Sequence, residues 1–179
     1  MAKFGQLSEL VFERARIENL VPSILKWEGG YVNDPLDKGG CTNMGVTIGS
    51  YRHYIDSKGT CADLKKLTKD QFTLVFSKFW NRWKADQIMD QQVANILVDW
   101  VFNSGTYGIR IPQRILGIKQ DGIVGPITLA AVNAQNPKDF HAKIWAAREK
   151  FYHDIVRNNP RQKRFLKGWL NRLNDYKWK

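Results

Sequence analysis

Between Ile17 and Leu25 the apolar residues Ile17, Leu20, Val21, Ile24 and Leu25 recur at helical spacing, and this pattern predicts a helix running up to Glu28. Gly29 and Gly30 supply its stop, and Pro22 restricts its start to cap positions between Asn19 and Val21. From Tyr31 to Ile48 the pattern changes to Gly, Pro, Asn, Asp and Thr with short apolar alternation, which predicts turns and a small β-hairpin. Thr68 with Gln71 three residues on is a capping box opening a helix that carries Phe72, Val75, Phe76, Phe79 and Trp80. Asp90 caps a strongly apolar helix through Val93, Ile96, Leu97, Trp100 and Val101, stopped at Asn103-Ser104-Gly105. Pro126 after Gly125 and Pro137 after Asn136 each read as a first helical residue. The second of these heads a helix over about 138–156, and a last helix spans about 162–175 with Phe165, Trp169, Leu170 and Leu173 on one side. With no internal repeat or long linker, the expected body is mainly α (α+β), with one hairpin after the Glu28 helix.

A chain of 179 residues suits one domain, or a catalytic lobe with a small appended unit. With 43% hydrophobic residues and seven Trp, it can bury a core and still leave rings to line a groove. The net charge is +11, and it is unevenly placed: residues 1–100 carry 13 Lys and Arg against 12 Asp and Glu, and residues 101–179 carry 15 against 5. A basic C-terminal half attracts polyanions, whether nucleic acid, anionic lipid or envelope polymer. No base-reading motif is present, so nucleic acid ranks last as a partner. The basic residues Arg157, Arg161, Lys163, Arg164, Lys167 and Arg172 read as a solvated face, and Trp80, Trp83, Trp100 and Trp145 as core.

Charges at Glu9, Glu13, Arg14 and Arg16 interrupt any apolar leader, and no run of eighteen apolar residues exists to span a membrane. The expectation is synthesis in the cytoplasm without a signal peptide. That compartment favours free thiols at Cys41 and Cys61, although a single bridge between them stays open. The three His and two Cys lack metal-ligand spacing, so neither a metal nor a cofactor is expected.

The run most informative about chemistry is WEGGYVNDPLDKGGCTNMGVT, from Trp27 to Thr47. Glycoside hydrolysis needs one carboxylic acid to protonate the leaving oxygen and, usually, a second carboxylate as base or nucleophile. Glu28, beside Trp27 and Tyr31, can be desolvated and so held protonated near neutrality. As a plain surface residue it would sit unfavourably at the negative end of its helix. Asp37 follows nine residues later as the second acid, with Asp34 as its rival; both also read as turn residues. Gly29-Gly30 and Gly39-Gly40 would let the chain reverse and bring Asp37 and Thr42 back toward Glu28. Tyr31, Asp34, Thr47 and Asn103 are candidate sugar contacts, although Thr47 suits a strand and Asn103 suits a helix cap.

This run resembles the signature of glycoside hydrolase family 108, the N-acetylmuramidases with a lysozyme-like fold that include phage endolysins and proteins once labelled secretion activators. FWNRWKADQI (79–88), VANILVDWVFNSG (93–105) and FLKGWLNRL (165–173) resemble the family too, and the likeness covers about Ile17 to the C-terminus. The resemblance implies that Glu28 is the catalytic glutamate. Asp37 and Thr42 resemble the Asp and Thr of phage-type lysozymes, which place one more residue between the two. LGIKQDGIVGPITLAAV, within about 113–134, resembles helical peptidoglycan-binding modules, whose DG-x-x-GP-x-T turn matches Asp121 to Thr128. The expected layout is therefore a catalytic lobe over 1–110 and a peptidoglycan-binding-like segment over 111–179. The implied activity is cleavage of the β-1,4 bond between N-acetylmuramic acid and N-acetylglucosamine, by a monomer acting on the cell wall after holin-type or other export. A lytic transglycosylase and a non-catalytic peptidoglycan binder are the alternatives.

Overall fold

A computed structural model describes residues 14–33 and 40–179, so Asp34 and Asp37 lie outside the described residues. The first helix, α1 (Val21–Trp27), follows a 3₁₀ turn at Ile17–Asn19 and has Pro22 at its N-terminus. It ends one residue before the glycines, because Glu28 is already extended at φ −82° and ψ 138°. Neither Gly29 nor Gly30 adopts positive φ, and a Cβ on either would meet nothing within 4 Å. Neither glycine therefore uses a backbone conformation reserved for glycine, and both leave open space beside Glu28.

The hairpin is present and short. β1 (Thr42–Asn43) pairs antiparallel with β2 (Val46–Thr47), in the register Thr42 to Thr47 and Asn43 to Val46. Its two-residue turn puts Met44 at φ 50° and Gly45 at φ 71°, the backbone of a tight right-twisted hairpin. Val32 adds a bridge to Thr42, and the Met44 N–H donates to the Gly29 carbonyl at 3.1 Å, so the turn is tied to the residue after Glu28.

Two short helices follow that the hydrophobic pattern does not reveal, α2 (Ile48–Tyr54) and α3 (Cys61–Lys65). Contrary to the free-thiol expectation, Cys41 and Cys61 form a disulfide, with Cα atoms 5.8 Å apart. It fastens the start of β1 to the start of α3, while Asn43 Nδ2 donates to the carbonyls of Leu64 and Lys65 at the other end. Closing a loop of this length restricts the unfolded chain and contributes about 3 kcal/mol.

The helices α4 (Lys69–Trp83) and α5 (Gln91–Ser104) start at the capping residues Thr68 and Asp90, as the sequence predicts. α5 is the central element, burying an unbroken run from Ile96 to Val101 and packing against α4, α6 and α8. α6 (Tyr107–Ile115) is a further helix the pattern missed, since Pro112 lies inside it. Gly108 lets α6 approach so closely that a Cβ there would overlap the backbone of Trp100 and Val101. The expected lobe boundary at 110/111 falls within this helix.

α7 (Pro126–Asn133), α8 (Pro137–Asn158) and α9 (Lys163–Asn174) complete the body. Buried Gln113 organises the Asp121–Thr128 turn by donating to Asp121 Oδ1 and the Ile123 carbonyl and accepting from Gly122 N–H. Trp80, Trp83 and Trp100 are core residues, whereas Trp145 is only half-buried. No helix among the described residues is long and apolar enough to cross a membrane.

Candidate active site

The end of α1, the hairpin turn and α9 converge on Glu28, whose side chain keeps only 13% of its exposure. One carboxylate oxygen, Oε2, lies against Gly45; a Cβ at that position would overlap it. The other, Oε1, accepts from Arg172 Nη1 at 3.2 Å. Arg172 is not on a solvated face, as the sequence suggests, but is 11% exposed, with its guanidinium beside the Phe102 ring.

That guanidinium is shared. Its Nε and Nη2 donate to Asp99 Oδ1 at 3.0 and 2.7 Å, and the opposite oxygen of Asp99 accepts from Arg148 Nη2 at 2.5 Å. Arg148 Nε in turn donates to the Tyr152 hydroxyl at 2.8 Å. Glu28 thus ends a chain of alternating charges running through α9, α5 and α8, in which Asp99 and Arg148 have no solvent exposure.

The electrostatics separate the two carboxylates. Burial raises the Glu28 carboxyl above the ordinary glutamate range against the pull of Arg172, and the Asp99 charge pushes it the same way as burial. Burial also works to raise Asp99, but Arg148 and Arg172 outweigh it and hold that group below its ordinary value. Because Arg172 gives two of its donors to Asp99, it neutralises Glu28 only in part. Asp99 stays ionised and has no room to activate water, while Glu28 is disposed to carry a proton.

The other candidates occupy several places. Thr42 is half-buried on β1, with its backbone paired to Val32 and Thr47. Tyr31 is half-buried and has the Lys65 ammonium 5.6 Å from its ring centre. The Thr47 hydroxyl accepts from Ser50 N–H and caps α2. Asn103 lies inside α5, where its Nδ2 donates to the Asp99 carbonyl one turn back; the helix is capped at Gly105, so the capping reading of Asn103 does not hold. Among the described residues no group of three or more His, Cys, Asp or Glu side chains could hold a metal.

Arg172, Asp99 and Arg148 are not among the residues the sequence points to as functional, though each leaves a trace in it. Asp99 is a lone charge inside the apolar run of α5. Arg148 falls in the stripe Ile144, Arg148, Tyr152, Ile155, and Arg172 in the stripe Phe165, Trp169, Arg172, Leu173. A charge at a core position of an amphipathic helix calls for a buried partner.

An acid shielded from water at the end of a helix, walled by a small hairpin within a mainly helical body, is the framework of a lysozyme-like glycoside hydrolase. The family model described as Glycosyl hydrolase 108 matches residues 21–105, and one described as Predicted Peptidoglycan domain matches residues 107–174. The chain thus carries a region similar to glycosyl hydrolase 108 followed by one similar to a peptidoglycan domain, and it is a peptidoglycan hydrolase. Twelve chains of solved structures match it. Among them is the structure of Brucella abortus SagA, with 29% identity and a TM-score of 0.69, covering 89% of this chain and 90% of that one. No curated protein matches the chain.

Proposed function

We propose that the chain is an N-acetylmuramidase that cleaves the β-1,4 bond between N-acetylmuramic acid and N-acetylglucosamine, with Glu28 as general acid. The observation that carries this reading is the desolvated Glu28 carboxyl against Gly45, raised above the ordinary range although Arg172 touches it. Its proton goes to the departing glycosidic oxygen, the C1–O bond breaks through an oxocarbenium-like state, and water adds to C1 as a carboxylate takes up the water's proton, leaving a reducing end. Arg172 Nη1 meets the negative charge left on Glu28 as the proton departs, so Arg172 is a positioning residue. Asp37, with Thr42 beside it in function, supplies the second carboxylate, and Asp34 is the competing choice. Tyr31, Thr47 and Asn103 are proposed sugar contacts, and the enzyme meets its substrate in the wall after export.

Mass spectrometry of digested sacculi tests this reading. Hydrolysis leaves reducing N-acetylmuramic acid ends, whereas 1,6-anhydro ends would mean transglycosylation and no products a binding role.

Gly45→Ala tests the Glu28 pocket itself. The added methyl meets Oε2 and strains a backbone at φ 71°, so hydrolysis of purified peptidoglycan should fall on the order of 10- to 100-fold. A variant that hydrolyses at the unaltered rate would show that Glu28 need not sit where it does.

A further inference from the structure

Away from Glu28, the start of α8 and the tail after α9 border an open depression of about 290 Å³ lined by Lys138, His141, Ala142, Trp145, Lys177 and Trp178. This is near the lower end of the volumes that hold small ligands. Its walls are aromatic and fixed: Trp145 Nε1 donates to the Leu173 carbonyl at 3.2 Å, and the Trp178 ring stands edge-on to His141 with centres 5.3 Å apart. His141 is itself buried, which lowers its pKa and keeps the imidazole neutral. Among the described residues the charges lining the depression are the two ammonium groups, with no carboxylate, and the Lys177 ammonium lies 5.9 Å from the centre of the Trp145 ring.

A second depression of about 470 Å³ shares Lys177 and Trp178 with the first and is lined besides by Pro22, Ser23, Lys26, Asn174, Asp175 and Lys179, so it contains one carboxylate, engaged by Lys26 and Trp27. Its junction with the catalytic region is braced at Asp175, which accepts from Lys26 Nζ at 2.6 Å and from Trp27 Nε1 at 2.7 Å. Trp27 immediately precedes Glu28. The two depressions share the Lys177–Trp178 wall, so the aromatic trough beside α8 adjoins a depression that reaches the helix preceding the acid.

We infer that the Trp145–Trp178 trough is a glycan-anchoring site for an anionic saccharide, a peptidoglycan strand outside the cleaved bond. A pyranose presents an apolar face of C–H groups suited to an indole, and the lactyl or stem-peptide carboxylate of a muramyl unit complements Lys138 and Lys177. A simple acidic peptide would satisfy the lysines and leave two indoles without a ring to cover. The inference rests on the peptidoglycan reading and names where, beyond the catalytic glutamate, the strand is gripped. It also gives part of the C-terminal excess of positive charge a specific use.

The test measures binding without turnover, in the Glu28→Gln protein. Co-sedimentation with purified sacculi stripped of secondary phosphodiester polymers is compared with and without Trp178→Ala, and separately with Lys138→Glu. Each change should weaken binding by at least about tenfold. Lys138 is exposed at the start of α8, so its replacement keeps the test valid if Trp178→Ala fails to fold. A soluble muramyl tetrasaccharide-peptide should quench tryptophan fluorescence in the Glu28→Gln protein and less so after Lys138→Glu, and an uncharged N-acetylglucosamine oligomer should bind more weakly. Undiminished affinity in folded Trp178→Ala or Lys138→Glu, or retention only by sacculi that keep their phosphodiester polymers, overturns the inference. Failure of the muramidase reading is detected separately, as the absence of reducing muramyl ends from wild-type digests.

Discussion

Glu28→Gln is expected to fold normally and lose peptidoglycan hydrolysis by about 10³-fold or more, because the amide keeps the shape of the carboxyl but has no proton of useful acidity to give. Its stability should not suffer. The folded-state pKa of Glu28 is raised, so the native protein holds this proton more tightly than the unfolded chain does, and ionising the group costs stability as pH rises above its unfolded value. Glutamine removes that cost, and at neutral pH the variant should melt no lower than wild type. The same shift sets the alkaline limb of catalysis: kcat/KM for soluble glycan should fall as pH climbs through the raised pKa and the acid loses its proton. Retained lysis by the purified variant would remove Glu28 from the mechanism.

Asp99→Asn should produce the largest loss of stability. The substitution leaves Arg148, wholly buried, and Arg172, nearly so, without their shared counter-charge, and breaking a buried ion pair from one side costs about 3–5 kcal/mol. Denaturant unfolding at pH 7 reads this directly. Asp99 has a depressed folded pKa, so its contribution is present above the unfolded aspartate value and is lost as pH falls through the folded one. The difference between wild type and variant should therefore narrow in acid. Catalysis should change in a distinct way, because removing Asp99 takes away a charge that raises the Glu28 pKa and frees Arg172 to pair with Glu28 alone. The alkaline limb should move to lower pH in the fraction that folds. An unchanged denaturation midpoint would mean that the charge chain does not hold α5, α8 and α9 together.

Most of the helical framework was legible because its boundaries are written in single residues. Thr68, Asp90, Gly125-Pro126 and Asn136-Pro137 each fix a start through a cap or a proline, and the structure begins α4, α5, α7 and α8 there. α2, α3 and α6 escaped because they are short, and α6 also contains Pro112, which argues locally against a helix. Packing of Gly108 onto α5 overrides that local preference. The hairpin was legible from its turn residues, but the turn glycine that touches the acid is Gly45, not one of the paired glycines beside Glu28.

The site divides in the same manner. Glu28 could be picked out from its place at a helix end, but the burial that raises its proton affinity comes from tertiary packing, and the charges that modify it lie 71 and 144 residues away in sequence, at Asp99 and Arg172. No local pattern records such a meeting; it appears only when α5 and α9 pack. The disulfide was hidden for a similar reason, since two cysteines twenty residues apart reveal nothing of their geometry until the hairpin is laid against α3.

The proton affinity of Glu28 can be measured on the group itself. The chain has five glutamates, so carboxyl ¹³C labelling of glutamate gives a spectrum in which Glu28 is the resonance missing from Glu28→Gln. That resonance should titrate above the ordinary glutamate value of about 4.3. A Glu28 signal titrating at or below that value would contradict the account, because a carboxylate already ionised in mild acid has no proton to give to a leaving sugar.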